Sequence, residues 1–315
     1  MARVAVISNP HAARRRSVAL QRELERASNV QWFTTSSPED ADARIASVAD
    51  DVDLLVLDGG DGTVQRALSA LFQAREARSP SIAILPGGST NMTAYDISGP
   101  SSWRKSAAQL LRLVNRDPTE WPRTPRPVIR LQSAGEGSPV YGMCFGAGAV
   151  ISGIEYCHDW IYRLGIRGEW APGLALARTV WGLATHEKAF STPVDLTVAL
   201  ENEASLVMPA KLMLVSAIKR MFLGFTPFWG SGEGALRCTI VRHGADAFVR
   251  TLPSFLRGRP SPRMTLDGGY WSEKLNSVRV SMRAPYAVDG EIFPAPASGT
   301  LELRATAPIE FVKLI

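Results

Sequence analysis

Short apolar runs alternate with amphipathic segments along the first 120 residues of the 315-residue chain. The apolar runs predict strands, and the segments between them carry apolar residues at the three- and four-residue spacing of helices. This alternation, with short connections, is typical of a parallel sheet covered by helices on both faces. The predicted strands are residues 3–8, 30–34, 53–57 and 81–85, and the predicted helices lie near residues 17–27, 40–48, 64–75 and 102–114.

The pattern changes after a proline-containing stretch at residues 119–127, where we place a domain boundary. Beyond it, many apolar residues alternate with polar ones, as in strands with one buried face. The alternation predicts an α/β domain over residues 1–122 and a β-rich domain over residues 123–307, interrupted by a helical insertion at 154–187. The predicted strands of the second domain are residues 128–132, 140–146, 194–200, 208–216, 235–241, 277–282 and 301–305.

A glycine-rich turn follows the third predicted strand and reads Asp58-Gly59-Gly60-Asp61-Gly62-Thr63. Three glycines in four positions let the backbone turn sharply and bring its N–H groups against a bulky anion. The predicted helix that follows adds the free donors and the positive dipole end of its N-terminus. The turn therefore predicts a binding site for a nucleotide phosphate.

A second glycine turn, Pro86-Gly87-Gly88-Ser89-Thr90-Asn91, follows the fourth predicted strand. In an open parallel sheet, ligands bind beyond the carboxyl ends of the strands, so loops that leave neighbouring strands contact the same molecule. Each turn alone is equally consistent with an ordinary tight connection between a strand and a helix. The two turns together favour one ligand-binding crevice.

The sequence from Gly59 to Thr63, followed by Pro86-x-Gly88-Ser89-x-Asn91, resembles the catalytic domain of diacylglycerol, sphingosine and ceramide kinases and of their bacterial lipid-kinase relatives. Ser8-Asn9-Pro10 is similar to the Asn-Pro loop of that family, and Asp289-Gly290-Glu291 to its Asp-Gly-Glu segment. Thr35, followed by Pro38, matches its threonine turn. The resemblance implies a three-layer α/β nucleotide-binding domain followed by a C-terminal β-sandwich domain, with residues 308–315 returning to the first domain.

The resemblance implies that ATP binds at the glycine turns, and the chain has no GxxxxGK[ST] motif to provide a P-loop lysine. Backbone amides of the glycines would then bind phosphate, with the Thr63 hydroxyl at the helix start. Asp61 would point into the crevice toward metal or acceptor, or alternatively would cap its own helix. The residues assigned to nucleotide binding are Asn9, Pro10, Thr35, Gly59, Gly60, Asp61, Gly62, Thr63, Gly88, Ser89, Thr90 and Asn91, with Ser89 and Thr90 donating to phosphate or ribose.

Asp289 and Glu291 are the candidate catalytic carboxylates, together with Asp61. In an extended segment, residues two apart face the same side, and paired carboxylates repel, so that one of them binds a proton more readily and acts as a base. The alternative is a surface hairpin, because Asp-Gly is a frequent turn dipeptide. The family resemblance favours the catalytic interpretation.

A hard metal ion held by carboxylates, Mg²⁺, is the expected cofactor beside ATP, with Asp61 as a candidate ligand. Glu233 stands where the family often carries an aspartate of a second metal site, although a plain turn is the stronger interpretation there. The three cysteines and four histidines lack the spacing of metal ligands and predict free thiols and no zinc site.

The net charge is +5, and of 35 basic residues all but six are arginine. Guanidinium groups bind phosphates and anionic lipid heads in bidentate fashion. The charge is spread along the chain and no nucleic-acid motif is present, which argues against nucleic acid as a partner. Within the insertion, Trp160 and Trp181 with interleaved arginines predict either two ordinary packed helices or a membrane-facing cap over a lipid entrance.

The first predicted strand begins near Met1, and no apolar run approaches the ~20 residues that span a bilayer. We therefore expect a cytoplasmic protein with peripheral contact to an anionic membrane surface. The function expected from the resemblance is an ATP-dependent lipid kinase with a ceramide or diacylglycerol acceptor. The alternatives are a soluble-substrate kinase of the NAD kinase or phosphofructokinase type, and a nucleotide- or lipid-binding protein without turnover.

Overall fold

The computed structural model describes residues 2–10, 17–74, 79–135, 137–161, 170–185, 187, 190, 192–200 and 205–315. The chain divides into two compact units, of which the first comprises Met1–Arg126 and Ala307–Ile315 and the second Pro127–Thr306. The predicted fold class is confirmed, since an α/β unit with a parallel sheet is followed by an antiparallel β-rich unit.

Six strands form the sheet of the first unit, in the order β2-β1-β3-β4-β17-β5. All neighbouring pairs are parallel except β17 with β5. Near-continuous apolar runs form the central strands, as expected where both faces of a sheet are covered. The strands are β1 (Val4–Ser8), β2 (Val30–Thr34), β3 (Leu54–Gly59), β4 (Ser81–Pro86), β5 (Arg123–Arg126) and β17 (Ile309–Val312).

Helices cover both faces of this sheet. Helices α1 (Ser17–Leu24) and α5 (Trp103–Leu113) contribute to an apolar cluster with alternate residues of β1, β3 and β4. Helices α2 (Pro38–Val48) and α3 (Asp61–Ala74) contact each other, α2 contacts β1, and α3 contacts β3. The intervening strand residues, such as Ile7 and Leu57, are also buried. A fifth helix, α4 (Met92–Ser98), was not predicted from the sequence.

In the second unit, eleven strands among the described residues form one antiparallel sheet. Nine strands run in the order β15-β14-β8-β10-β9-β13-β16-β6-β7, and β11 pairs with β10 and β12. The strands are β6 (Ile129–Ser133), β7 (Val140–Gly142), β8 (Cys144–Gly148), β9 (Val194–Leu200), β10 (Ser205–Ser216), β11 (Leu236–Arg242), β12 (Tyr270–Leu275), β13 (Ser277–Ser281), β14 (Tyr286–Val288), β15 (Glu291–Phe293) and β16 (Thr300–Ala305).

Three α-helices lie within the described residues of the second unit: α6 (Ala149–Tyr156), α7 (Trp170–Ala184) and α8 (Phe248–Leu256). A π-helical turn at Cys157–Ile161 follows α6, and α7 contacts both this turn and α8. The predicted helical insertion, residues 154–187, therefore contains the last three residues of α6, the turn and α7, while its residues 162–169 lie outside the described part of the chain.

Two of the differences between predicted and observed bounds affect the candidate site residues. The predicted strand 140–146 is two strands, because the N–H of Met143, between β7 and β8, donates to the carboxylate of Asp289. The predicted helix 64–75 begins three residues earlier, at Asp61. Consequently Asp61, Gly62 and Thr63 form the first helical turn and do not precede it.

Candidate active site

The carboxyl ends of β1 and β3 lie side by side, with the successive residues of the two strands paired in register up to Ser8 and Asp58. The helix that follows β1 packs on one face of the sheet, and the helix that follows β3 packs on the other. The strand order therefore reverses between these two strands. Open α/β sheets bind their ligands at such a switch point, so the loops after β1 and β3 flank the expected site.

The N-terminus of helix α3 supplies backbone donors at this edge. The helix has 14 residues, and the N–H of Val64 donates to the carbonyl of Gly60 at 3.1 Å. The N–H groups of Gly62 and Thr63 belong to the first turn, where a helix provides no acceptor of its own. Gly60, Gly62 and Thr63 are partly exposed. An anion placed here would meet these donors and the positive end of the helix dipole.

The two glycine turns touch each other through their backbones. A Cβ atom added to Gly88 would lie 2.5 Å from the Cα of Gly60, and one added to Gly60 would lie 2.9 Å from the Cα of Gly88. The N–H of Gly87 also donates to the carbonyl of Gly59 at 2.9 Å. From the sequence alone, these glycines indicate that a phosphate approaches the backbone closely. The structure adds a second reason, which is the close approach of the two loops.

The Asp61 carboxylate caps the N-terminus of α4. It accepts the Thr90 hydroxyl at 2.5 Å and the N–H groups of Met92 at 3.0 Å and Thr93 at 3.1 Å. The side chain is only 6% exposed. The prediction that Asp61 points into the crevice, and its alternative that Asp61 caps its own helix, are both corrected here. The carboxylate instead joins the loop after β3 to the helix after β4.

Burial raises the pKa of Asp61, and hydrogen bonds from Thr90, Thr93 and Met92 lower it in part. The carboxylate remains a good acceptor for backbone donors at a helix N-terminus, where a negative charge is favoured. Asp61 is thus an acid whose surroundings oppose ionisation through desolvation and favour it through hydrogen bonding. Its charge is sensitive to any change in the loop that carries Thr90.

Asn91 locks the second glycine turn. Its side-chain oxygen accepts the Gly88 N–H at 2.8 Å, and its side-chain nitrogen donates to the Gly88 carbonyl at 2.8 Å. The residue adopts a left-handed conformation with φ of 47°, which asparagine tolerates. In this structure the Thr90 hydroxyl donates to Asp61 and the Asn91 side chain bonds Gly88, so the assignment of both residues to nucleotide binding stays a prediction. Gly88 and Ser89 remain partly exposed at this turn.

The loops after β1 and β2 join the same network. The Asn9 amide donates to the Thr63 hydroxyl oxygen at 3.1 Å, and the Thr35 hydroxyl donates to the Ser8 carbonyl at 3.2 Å. Thr35 is 7% exposed, so the structure places it beneath the site as a support for β1. Pro10 follows Asn9 directly. The adjacent arginines, Arg14 to Arg16, lie outside the described residues.

Asp58, which sequence reasoning missed, connects three elements below the glycine turn. Its carboxylate accepts the Ser8 hydroxyl at 2.8 Å and the Trp103 indole N–H at 2.8 Å, and the residue is fully buried. These bonds tie β3 to β1 and α5, which fixes the spacing of the strand ends. The sequence contained one signal for this role, which is an acid at the end of an apolar strand. A buried acid requires hydrogen-bond partners.

In the second unit, Asp289 and Gly290 form the two-residue turn between β14 and β15. Both have positive φ, 51° and 91°, as a type I′ hairpin requires. The prediction of an extended segment is therefore wrong. We expected Asp289 and Glu291 to share a face because side chains alternate along a strand, and that alternation does not apply across a turn. The Asp289 carboxylate accepts the N–H groups of Met143 and Cys144, each at 2.8 Å, and the side chain is 6% exposed.

Glu291, by contrast, is exposed at the start of β15, and Glu233 is exposed in the loop before β11. Among the described residues, no cluster of three or more histidine, cysteine, aspartate or glutamate side chains is arranged to hold a metal ion. Asp61 already accepts three hydrogen bonds. The residues in place thus do not fit a metal site built by the protein alone, and Glu233 is not joined by companion acids.

Residues 3–120 match the family described as the diacylglycerol kinase catalytic domain. Among curated proteins, none is similar enough in sequence to this chain to indicate a relationship. The matched segment contains both glycine turns and the loops after β1 and β2. The resemblance noted in the sequence is therefore confirmed over the first unit.

Solved structures extend the likeness of fold to the whole chain. A diacylglycerol kinase from Bacillus anthracis str. Sterne is 15% identical, with a TM-score of 0.65, and the match covers 99% of this chain and 96% of that chain. A candidate diacylglycerol kinase from the same organism is 16% identical, with a TM-score of 0.69 and coverage of 99% and 95%. Residues 3–120 thus match the diacylglycerol kinase catalytic domain, and the chain as a whole has the fold of these bacterial proteins.

Proposed function

We propose that this protein is an ATP-dependent lipid kinase that phosphorylates a hydroxyl group of a membrane lipid of the ceramide or diacylglycerol type. The observation that carries the proposal is the N-terminus of α3 at the switch point of the sheet, within a segment that matches the diacylglycerol kinase catalytic domain. Backbone donors at that place suit a nucleotide phosphate. The reaction class follows from the family, and the acceptor from its lipid-kinase members.

On the nucleotide side, backbone N–H groups replace a P-loop lysine. Gly60, Gly62 and Thr63 present donors at the partly exposed start of α3. The Thr63 hydroxyl accepts from Asn9, which leaves its own proton for a phosphate oxygen. Asp61 keeps the second turn against the first, so that both turns approach the nucleotide as one rigid unit.

On the acceptor side, transfer requires that the lipid hydroxyl oxygen attack the terminal phosphorus while the bond to the bridging oxygen breaks and ADP leaves. The proton of the hydroxyl passes to a carboxylate. Glu291 is exposed and accessible for this role, whereas Asp289 is held by two backbone N–H groups and fixes the turn that carries Glu291. In this proposal Glu291 accepts the proton and Asp289 positions it.

The family implies a divalent cation, and Mg²⁺ would neutralise phosphate charge when bound with ATP. Mg²⁺ keeps several waters and needs few protein ligands when a nucleotide is present. The chain's own contribution is the set of backbone donors at α3. This agrees with the poor fit of the described carboxylates to a metal site.

An exposed apolar surface on the second unit supports contact with a membrane. Leu174 and Trp181 are 47% and 65% exposed and lie seven residues apart on one face of α7, and Trp160 in the contacting π-helical turn is 62% exposed. Tryptophan favours the interface of a bilayer. None of the described helices is both long and apolar enough to cross a membrane.

The proposal is tested by incubating the purified protein with terminally labelled ATP, Mg²⁺ and single acceptors. The panel contains diacylglycerol, ceramide, sphingosine, NAD and fructose 6-phosphate. Label in diacylglycerol or ceramide is the expected result. Label in NAD or fructose 6-phosphate would identify a soluble-substrate kinase, and ATP binding without any labelled product would contradict the kinase assignment.

A further inference from the structure

The connection between β10 and β11 contains a loop, residues 219–226, that presents an apolar side chain to solvent. Leu223 is 55% exposed and has a left-handed backbone conformation, with φ of 54°. A bulky residue rarely adopts this conformation, because its Cβ comes too close to the following carbonyl oxygen. Such strained residues cluster at sites that bind ligands or partners. The loop therefore keeps a leucine exposed at a position that glycine or asparagine would occupy with less strain.

Hydrogen bonds within the loop hold this leucine in place. The N–H of Met221 donates to the carbonyl of Phe225 at 2.8 Å, and the N–H of Gly224 donates to the carbonyl of Met221 at 3.1 Å. The half-buried rings of Phe222 and Phe225 pack edge to face, with their centres 5.8 Å apart. Leu223 is thus the apolar tip of a turn that is closed by its own backbone and supported by two aromatic rings.

The tip lies beside helix α7. A Cβ atom added to Gly173 would lie 3.8 Å from Leu223 Cδ1. Leu174, the next residue of α7, is 47% exposed, and Trp181 on the same face of that helix is 65% exposed. The loop therefore adds a further exposed apolar side chain to the helix that carries these two residues.

Cationic side chains flank the base of the loop on two sides. Lys219 and Arg220 are exposed and come directly before the turn. At the other end of the loop, the N–H of Thr226 donates to the last carbonyl of α8 at 2.9 Å, which holds the loop against the end of that helix. Arg257 and Arg259, which follow α8, are also exposed. Four exposed cations therefore lie on the two segments that meet at the base of the loop.

No acidic residue accompanies these cations along the two segments. Residues 217–232 contain two basic residues, residues 247–266 contain four, and neither segment contains an aspartate or glutamate. An apolar tip flanked by cations matches an anionic bilayer, since the tip can enter the acyl region while the cations stay among the head groups. The exposed tryptophan on the neighbouring helix is a residue type enriched at the same interface.

We propose that residues 219–226 form a membrane-insertion loop, in which Leu223 enters the acyl region of an anionic bilayer and the four flanking cations contact its head groups. The proposal rests on the proposed lipid kinase function for the expectation that the protein meets a membrane. It adds the element that inserts and the charge class of the surrounding lipid. Under this proposal, anionic lipid recruits the enzyme whether or not the lipid is its acceptor.

Co-sedimentation of the full-length protein with phosphatidylcholine vesicles, with and without phosphatidylglycerol, tests the charge requirement. Wild type is expected to bind at least ~10-fold more tightly when phosphatidylglycerol is present. Lys219→Gln combined with Arg220→Gln should weaken that binding by at least ~10-fold. The matched control, Arg279→Gln combined with Arg304→Gln, removes two charges from exposed positions of the same unit and should bind as wild type. Equal losses in the two double variants would reduce the contact to net charge and overturn the proposal.

Leu223→Asn tests the apolar tip without disturbing the turn, because asparagine tolerates a left-handed backbone. Binding to vesicles that contain phosphatidylglycerol should fall by about 10-fold, the scale of one leucine side chain left in water. The unfolding temperature should be equal to that of wild type or higher, because strain is relieved. Val207→Asn, at a 76% exposed residue of β10, is the control and should bind as wild type. Unchanged vesicle binding, or a lower unfolding temperature for Leu223→Asn, would overturn the proposal.

A polarity-sensitive fluorophore attached at Leu223→Cys measures insertion itself, since the three native cysteines are buried. Its emission should shift to the blue when phosphatidylglycerol vesicles are added, and the same label at Val207→Cys should not respond. Unchanged emission, with self-association that is lost in Leu223→Asn, would identify a second copy of the chain as the occupant and overturn the membrane assignment. None of these measurements uses ATP. Lipid phosphorylation in neutral detergent micelles without insertion of the tip would therefore refute this proposal and leave the kinase function intact.

Discussion

At the residue scale, Asp61 determines how the two glycine turns are held together. Asn in its place keeps the size but cannot accept from Thr90, Met92 and Thr93 together, since one side-chain atom becomes a donor. Asp61→Asn should abolish phosphoryl transfer and lower the free energy of unfolding by ~1–3 kcal/mol, the cost of a buried donor left unpaired. Turnover and thermal unfolding measure the two effects.

The matched control is Asp117→Asn, at an exposed aspartate of the same unit that accepts from Thr119 in a surface turn. Its activity should equal that of wild type. Full turnover in a folded Asp61→Asn protein would contradict the assignment of the nucleotide site to these two loops.

The raised pKa of Asp61 gives a signed prediction for stability. The folded state binds this proton more tightly than the unfolded state, so the stabilisation is complete below the ordinary aspartate pKa of ~3.9 and is lost as pH rises through the folded value. Relative to Asp61→Asn, wild type should therefore lose stability as pH is raised from 3 toward 7, by ~1.4 kcal/mol for each unit by which the pKa is raised. Chemical denaturation of both proteins across this range measures the difference, and an opposite slope would contradict it.

Glu291 and Asp289 differ in their surroundings and should differ in their variants. Glu291→Gln should lower kcat by at least ~10²-fold with little effect on stability or ATP affinity, since the side chain is exposed. Asp289→Asn should lower kcat and stability together, because Met143 and Cys144 lose a carboxylate acceptor. Glu273→Gln, at another exposed glutamate of this unit, is the control. A Glu291→Gln enzyme with wild-type kcat would assign the base elsewhere.

The sequence predicts which residues gather at the site better than it predicts their contacts. The position of the glycine turns at the ends of β3 and β4 follows from the apolar runs before them. The partners of Asp61 and Asp289 do not, because each carboxylate is bound by backbone N–H groups that are distant in the chain. The Asp-Gly dipeptide nevertheless indicated the hairpin at Asp289, which was the alternative interpretation of this segment.

At the scale of elements, the contact between the glycine turns fixes how the loops after β3 and β4 lie against each other at the proposed nucleotide site. Gly88→Ala should destabilise the protein by ~1–3 kcal/mol and weaken nucleotide binding, because the new Cβ would meet the Gly60 backbone. Gly173→Ala is the control, since a Cβ there meets only Leu223 at 3.8 Å. That helical substitution should be neutral or stabilising by ~0.5–1 kcal/mol. Equal effects of the two substitutions on nucleotide affinity would refute the role of the contact.

Sequence patterns do not predict the exact start of helix α3 or the shortest strands. Helix α3 was expected from Val64, after the glycine turn, yet it begins at Asp61, although glycine and aspartate are poor helix formers. Tertiary contacts outweigh that propensity: Asn9 donates to Thr63, and Thr90 to Asp61. Strands β14 and β15 were missed because each has only three residues, too few for an alternating pattern.

At the scale of the whole molecule, the proposed membrane contact rests on exposed tryptophans in the second unit. Trp181→Ala should weaken binding to anionic vesicles by about 10-fold, corresponding to ~1.4 kcal/mol, because the ring would no longer enter the interface. Trp160→Ala should act in the same direction. Val207→Ala, at a 76% exposed apolar residue of β10, is the control. Vesicle co-sedimentation measures all three, and unchanged binding of both tryptophan variants would contradict the membrane contact.

Strand β17 joins the sheet of the first unit between β4 and β5, with Phe311 opposite Ile82. Its order in the sheet has a consequence for biosynthesis. Residues 127–306 form a continuous segment and can fold as soon as they emerge from the ribosome, whereas the sheet that carries the glycine turns lacks an inner strand until residues 309–312 have been translated. The nascent chain thus cannot complete the sheet of the first unit before residues 309–312 have been translated, so the proposed nucleotide site would be completed only late in synthesis.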